Sequence, residues 1–297
     1  MLNQVPPDVK EGVSSILGRE VSKNTDLNNF QFSSGGCINN GGIIETSSGQ
    51  FFIKWNDARK FPGMFEAEAK GLALLIASNN IRIPEVIGYA EQDGFSFLVL
   101  ECINSGYPSP DYWPNFGRAL ANLHRNTSPQ FGLDYDNYIG SLHQSNRFKS
   151  KWLDFFISER LEKQLKLAID NAKMPKEAVH SFNILFNLLP ELLNLQEPAS
   201  LLHGDLWSGN QIADDLGQAC LIDPAVYYGN REIELAFTQL FGGFDSSFYS
   251  AYDETFPIEK GFDRRVDLYN LYPLLVHVNL FGGGYISQVM HTLRRYQ

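Results

Sequence analysis

The amino-acid sequence predicts an α+β protein: an N-terminal antiparallel β-sheet with a helix, then a larger, mainly helical region. Three observations carry this expectation. Through Glu101 the chain alternates polar and apolar side chains in short runs broken by Gly, Asn and Ser, the mark of half-buried strands joined by tight turns. Beyond Glu101 the period changes, and long segments place apolar residues three and four apart, as amphipathic helices do. Strand-like runs return only briefly, between residues 201 and 225. The expected division is residues 1–101 and residues 102–297, and a ligand held at such a boundary is a common arrangement.

Taken in order, Pro7 and Asp8 open a short helix expected to run to about Leu17. Residues 28–55, NNFQFSSGGCINNGGIIETSSGQFFIKW, alternate on both sides of a Gly/Asn turn and read as a hairpin, with Gly41-Gly42 and Ser47-Ser48-Gly49 as punctuation. Residues 63–80 put Met64, Ala67, Leu72, Leu75 and Ile76 on one helical stripe. Residues 81–102 make two more strands around Asp93-Gly94. Residues 114–127, 151–172 and 178–193 have helical period, strand-like pieces follow at 201–205, 210–215 and 219–225, and the remainder is mostly helical.

Of the 297 residues, 43% are hydrophobic and 20% charged, enough apolar material for a sizeable core. A net charge of −10 repels phosphate backbones, so nucleic acid is not the expected partner. A small nucleotide is compatible with it, because magnesium and a few local cations offset the field. The cysteines Cys37, Cys102 and Cys220 are far apart and odd in number. Neither a disulfide framework nor a zinc site is expected, and a reducing cytoplasm fits. The opening MLNQVPPDVKEGV lacks a basic stretch followed by an apolar one, so no signal peptide is expected. The apolar run LYPLLVHVNLF is short and carries His277 and Asn279, so no membrane span is expected either.

The stretch LLHGDLWSGN, followed by QIADDLGQACLID, concentrates the chemistry. The second segment reads as a tight hairpin turning at residues 214–217, which would return Asp223 close to Asn210. Two oxygen ligands on neighbouring strand ends suit a hard cation such as magnesium. Asp205, on the loop before them, is placed to accept a proton from a hydroxyl. Such a set meets the needs of phosphoryl transfer, where positioning and charge neutralisation do most of the catalysis. Any one of these residues alone reads as a turn or cap; the joint spacing H-x-D-x-x-x-x-N, hairpin, Asp is what points to function. The first hundred residues add Lys54 in a strand-like FFIKW, a Gly-rich turn SSGGCINNGG, and a helix bearing Glu66 and Glu68. Glycines admit phosphates close to backbone amides, and a lysine steered by a helix carboxylate pairs with them. A lysine amid strand apolars is otherwise an exposed edge residue. Backbone groups around Glu101 and Ile103 either meet an adenine edge or simply end a buried strand. Trp207, between Asp205 and Asn210, is expected to form one wall of the substrate pocket, while His277 is a weaker candidate for the same pocket.

These residues resemble the fructosamine kinase (ketosamine-3-kinase) family, within the protein-kinase-like and aminoglycoside-phosphotransferase-like superfold. The likeness rests on LLHGDLWSGN, LIDPAVYYGNREIELAF, SGGCIN, FIK, MFEAEAKGL, NYIGSLHQSN, WLDFFISERLEKQL, FGGF and GFDRRVDLYNLYPLLVHVNLFGGGY, and it spans nearly the whole chain. It implies a bilobal fold with ATP bound between the lobes. It makes Asp205 the catalytic base and Asn210 and Asp223 the magnesium ligands. It places Gly35, Gly36, Cys37, Ile38 and Asn39 in a phosphate loop, with Lys54 on the phosphates. Glu68 would be the ion-pair partner of Lys54, with Glu66 as the alternative. His203 would be the structural histidine of the catalytic loop, and Glu234 a buried carboxylate bracing it. Cys37 would permit redox control through an intermolecular disulfide. Asp223 is followed by Pro-Ala rather than Phe-Gly, and no activation-loop segment is apparent, so the resemblance points to a small molecule rather than a protein-kinase substrate.

The implied reaction is ATP- and magnesium-dependent phosphorylation of the third carbon of a sugar joined to an amine. The substrate would be a small-molecule or protein-bound fructosamine, ribulosamine or erythrulosamine, phosphorylated in deglycation repair. A choline- or aminoglycoside-type kinase shares the Asp–Asn–Asp set, and a nucleotide-binding scaffold without turnover is a third reading. A metal-dependent hydrolase built on His203, Asp205 and Asp223 would want more histidine ligands. The oligomeric state, monomer or homodimer, is left open.

Overall fold

In the computed structural model, which describes residues 1–23, 25–33, 39–193 and 196–296, the N-terminal alternation becomes a five-stranded antiparallel sheet. Ahead of it, α1 (Pro7–Glu20) starts with Pro where a missing N–H costs nothing, and with Asp8 at the positive end of the helix. The helix outlasts the expected Leu17, whose carbonyl still accepts from Val21 N–H at 2.9 Å. The sheet comprises β1 (Leu27–Phe32), β2 (Asn40–Thr46), β3 (Gly49–Asp57) and, after α2 (Met64–Ser78), β4 (Val86–Gln92) and β5 (Phe95–Glu101). Its spatial order is β1-β2-β3-β5-β4, so β3 is the central strand. Val9, Val13, Ile16 and Leu17 of α1 pack into one core with Phe30, Ile53, Trp55, Phe97 and Val99.

Thr46 pairs with Gly49 and Gln92 with Phe95, so both hairpins close on two-residue turns. Asp93 and Gly94 have φ of 50° and 86°, as a type I′ turn requires. Gly41-Gly42, expected as a turn, lies instead inside β2. A Cβ on Gly42 would come within 2.2 Å of the Gln31 carbonyl oxygen and crowd the Phe30 ring. These glycines mark close backbone approach, the other meaning of Gly in a strand. In α2, Ile76 faces solvent and Phe65 joins Met64, Ala67, Leu72 and Leu75 in the buried set.

α3 (Tyr112–His124) opens the helical region and is followed by the short strands β6 (Thr127–Ser128), β7 (Asn137–Ile139) and β8 (Leu142–Gln144). The helix expected over 151–172 is one run in three geometries: α4 (Trp152–Phe155), a π-helical turn (Phe156–Leu161) and α5 (Glu162–Asp170). Then come α6 (Ala178–Leu192), β9 (Ala199–Leu202), the hairpin β10 (Gln211–Ala213) and β11 (Ala219–Leu221), and β12 (Tyr227–Gly229), which pairs back on β9. Five helices finish the chain: α7 (Arg231–Leu240), α8 (Ser246–Thr255), α9 (Phe262–Tyr269), α10 (Leu271–Phe281) and α11 (Gly284–Arg294). Trp152, Phe155, Phe182, Leu185, Leu202, Tyr227, Tyr269 and Leu275 belong to the core of this region. No helix among the described residues is long and apolar enough to cross a membrane.

Two compact units result, Met1–Tyr112 with Gly209–Pro224, and Trp113–Ser208 with Ala225–Gln297. This differs from a single cut at 101/102. The β10–β11 hairpin joins the first unit through main-chain bonds: Leu221 N–H to Arg82 O at 3.0 Å, and Gly106 N–H to Ala213 O at 2.9 Å. Periodicity marks where strands give way to helices, but it carries no information about which unit a later hairpin will bond to.

Candidate active site

Lys54 sits on the central strand, and its residue is only 6% exposed, so it is no edge lysine. Its ammonium donates to Glu68 Oε1 at 2.6 Å and to Asp223 Oδ1 at 2.5 Å. Burial alone would lower the Lys54 pKa, but the charges of Asp223 and Glu68 outweigh it and leave the pKa raised. The group is therefore a fixed cation at any physiological pH. Glu66 and Glu68 stand two residues apart on α2, roughly 200° around the helix, so only one can face the sheet. Glu66 points outward and pairs with Lys70 at 2.8 Å. The geometry thus selects Glu68.

Asn210 and Asp223 flank the β10–β11 hairpin. Gln211 pairs with Leu221, and Ile222 N–H donates to the Asn210 carbonyl at 3.1 Å, so the backbone at Asn210 is bonded one residue from Asp223. The turn closes with Asp214 N–H to Gln218 O and Gly217 N–H to Asp214 O, both at 2.9 Å, while Asp214 Oδ1 accepts from Leu216 and Gln218 N–H. Two residues past the end of β11, Asp223 adopts the left-handed region with φ 55°. Asp tolerates that conformation better than bulkier residues, and backbone departures of this kind cluster at functional sites. Its carboxylate, already facing a cation, belongs with the Asn210 amide oxygen to the donor class that magnesium takes, so the two residues would fit such an ion. Both residues were expected in the second part of the chain; they fall in the first unit, with Lys54.

In the second unit, β9 delivers His203, Gly204 and Asp205. Glu234, in the first turn of α7, accepts from His203 N–H at 3.2 Å and from Gly204 N–H at 2.6 Å. Its Oε2 also meets His124 Nε2 at 2.9 Å, and His124 Nδ1 meets the Tyr252 hydroxyl at 2.7 Å. Burial would raise the Glu234 pKa, but the bond and charge of His124, the charge of His203 and the Gly204 N–H hold it below the usual carboxylate range. Gly204 has φ 85°, and a Cβ there would lie 2.0 Å from the Ala225 carbonyl oxygen, so only glycine fits. Asp205 N–H donates to His203 Nδ1 at 3.3 Å, which ties the Asp205 backbone to the histidine ring.

The depressed Glu234 pKa contributes stability above its ordinary value of about 4.3, and that contribution is lost as pH falls through the folded pKa. Glu234→Gln should therefore flatten the acid limb of stability against pH, and Glu234→Ala should destabilise by about 3–5 kcal/mol, as breaking a buried pair does. Urea denaturation between pH 3 and 7 reads both, and an unchanged acid limb in Glu234→Gln would contradict the assignment.

Trp207 is half-buried, its ring edge-on to Phe241 at 5.9 Å. The Phe241 ring lies tilted against His277 at 4.8 Å, and His277 lies 5.0 Å from Tyr285. His277 Nδ1 meets the Pro273 carbonyl at 2.7 Å, and burial lowers its pKa. The histidine thus belongs to the aromatic group that supports Trp207. Gly35, Gly36, Cys37 and Ile38 lie outside the described residues. Asn39 Oδ1 accepts from Asn56 at 3.0 Å, which ties the end of that loop to β3. The Glu101 carboxylate takes Arg82 at 2.5 Å and Glu85 N–H at 3.2 Å, and Glu101 N–H donates to Glu85 O at 2.8 Å. The Glu101 N–H is thus spoken for. Ile103 follows in a segment without regular structure.

A family model described as "Fructosamine kinase" matches residues 9–297. The chain belongs to the fructosamine kinase family. A ketoamine kinase, by name, of Synechocystis sp. is 42% identical over 265 residues, 88% of this chain and 88% of that protein. The chloroplastic protein-ribulosamine 3-kinase of Arabidopsis thaliana is 38% identical over 277 residues, 92% of this chain and 84% of that protein. A crystal structure titled as a fructosamine-3-kinase of Haemophilus somnus superposes with a TM-score of 0.87 at 29% identity, covering 96% of both chains. This family member is accordingly a phosphotransferase with a kinase-like α+β fold.

Sequence reasoning did not find every participant in this fructosamine kinase family member. His124, buried under Glu234, reads in sequence as one more polar residue of a helix, and no local pattern distinguishes it. Gln144 falls in a stretch singled out only by resemblance and Glu159 in one read simply as a helix, although both side chains are buried and hydrogen-bonded.

Proposed function

We propose that this chain transfers the γ-phosphoryl group of ATP to the 3-hydroxyl of a ketosamine. The observation that carries the reading is the Lys54 ammonium, buried between Glu68 and Asp223 in a member of this family. A buried, fixed cation beside a carboxylate of the magnesium-binding class is what triphosphate positioning requires. Lys54 pairs with phosphate oxygens, and Glu68 keeps its ammonium aimed. Asn210 and Asp223 would hold a magnesium ion, which when bound would neutralise charge on the phosphates. Asp205 accepts the proton of the 3-hydroxyl as its oxygen bonds to phosphorus and the bond to the ADP oxygen breaks. His203 and Glu234 keep the Asp205 loop in one conformation, and Trp207 forms an apolar wall for the sugar carbons.

The product would be a ketosamine 3-phosphate. The family resemblance implies that it breaks down spontaneously and frees the amine, which places the activity in repair of glycated amines. Phosphate transfer from labelled ATP to ribulose-lysine, fructose-lysine, choline and kanamycin tests the assignment. Turnover of the ketosamines should exceed that of the other two by at least about tenfold, roughly 1.4 kcal/mol of transition-state discrimination. Equal or higher turnover of choline or kanamycin would overturn it.

A further inference from the structure

Two stretches play no part in the transfer described above: residues 137–146, NYIGSLHQSN, and residues 152–165, WLDFFISERLEKQL. They meet in the second unit at a cavity of about 100 Å³. Its floor is polar and buried: Gln144, Ser145 and Glu159 beside Tyr272, each under a tenth exposed. Its rim is charged, with Asp136, just ahead of β7, 3.2 Å from His143 of β8, and Arg147 and Lys163 close by.

The cavity is held rather than left over from packing. The turn over Phe156–Leu161 is π-helical, a geometry that is rare and concentrated at functional sites. There the Glu159 carboxylate accepts from the Ser145 hydroxyl at 2.7 Å and lies 3.6 Å from Lys149 Nζ. Next to it, Arg160 donates to the Ser145 carbonyl at 2.6 Å and to Asn146 Oδ1 at 2.7 Å, fixing the wall that carries Gln144. Gln144 Nε2 in turn donates to Asn137 Oδ1 at 2.8 Å and to the Ala225 carbonyl at 3.1 Å, and Ala225 N–H donates to the His203 carbonyl at 2.9 Å. Tyr272 donates to Gln144 Oε1 and also lines the small void against Gly204 and Glu234. One side chain and one backbone link therefore separate the cavity from the loop that bears Asp205.

A ketosamine carries its amine only two carbons from the hydroxyl to be phosphorylated. Whatever the amine bears must be housed beside the Asp205 loop. The cavity presents two carboxylates, Glu159 and Asp136, and two cations, Arg147 and Lys163. This balance of charge matches an α-ammonium with its own carboxylate. We infer that the cavity receives the amino-acid end of the substrate, with Glu159 and Asp136 facing the ammonium and Arg147 and Lys163 facing the carboxylate. The inference rests on the ketosamine reading and narrows it to the adducts of free α-amino acids.

The test compares the ribulose adducts of glycine and of propylamine, which differ in the carboxylate. For the unmodified protein, kcat/KM should favour the glycine adduct by about tenfold or more, the worth of one charge-assisted contact. In Arg147→Ala/Lys163→Ala, both changes being at exposed positions, that ratio should fall towards one. A ratio near one in the unmodified protein, or a preserved preference in the double variant, overturns the inference while leaving ketosamine phosphorylation standing. If neither adduct is phosphorylated, both readings fall together.

Discussion

Asp205→Asn should lower kcat by about 10²–10⁴-fold with ribulose-lysine as substrate, the usual worth of a positioned general base. The amide keeps the shape of the carboxylate but cannot take the hydroxyl proton. Little else should change, because the loop is held by other groups. The Asp205 N–H on His203 Nδ1 survives the substitution, as do the His203 and Gly204 N–H bonds to Glu234. The thermal midpoint should therefore stay close to that of the unmodified protein. A kcat within tenfold of the original would mean that Asp205 is not the base.

Lys54→Met should reduce kcat/KM for ATP by about 10²–10³-fold, as removal of one preorganised charge partner does. Methionine preserves the aliphatic stem and removes only the ammonium. The Glu68 carboxylate would then be buried without its cation, at a cost on the order of 3 kcal/mol. Asp223 adds less to that penalty, since its side chain is 44% exposed. The double variant Lys54→Met/Glu68→Gln separates the two effects. It should regain most of the stability, because the stranded charge is gone, and regain none of the activity. Recovery of activity in the double variant would show that Lys54 acts only by neutralising Glu68.

The strands and helices were legible where one period runs long enough. β4 and β5 follow from alternation around Asp93-Gly94, and α6 from its three-and-four spacing. Gly41 and Gly42 misled, because Gly signals both a turn and a close strand approach, and only Phe30 and Gln31 on the neighbouring strand decide between them. The π-helical turn inside 151–172 was invisible for a similar reason: its hydrogen bonds shift by one residue while the apolar spacing barely changes. The short strands β6, β7, β8 and β12 are too brief for any period to register.

What the sequence determined by itself was local and chemical: an α+β class, a hairpin turning at residues 214–217, and a loop whose His, Asp and Asn spacing suits phosphoryl transfer. Those features depend on neighbours along the chain, and neighbours are what a sequence displays. The tertiary structure alone decided that Glu68 rather than Glu66 meets Lys54, that Asn210 and Asp223 join the first unit, and that His124 lies under Glu234. Each of these turns on which helix face or strand edge is buried against a distant segment. Burying a charge is tolerable only beside its partner, so the selection is made by three-dimensional packing, which no spacing along the chain encodes.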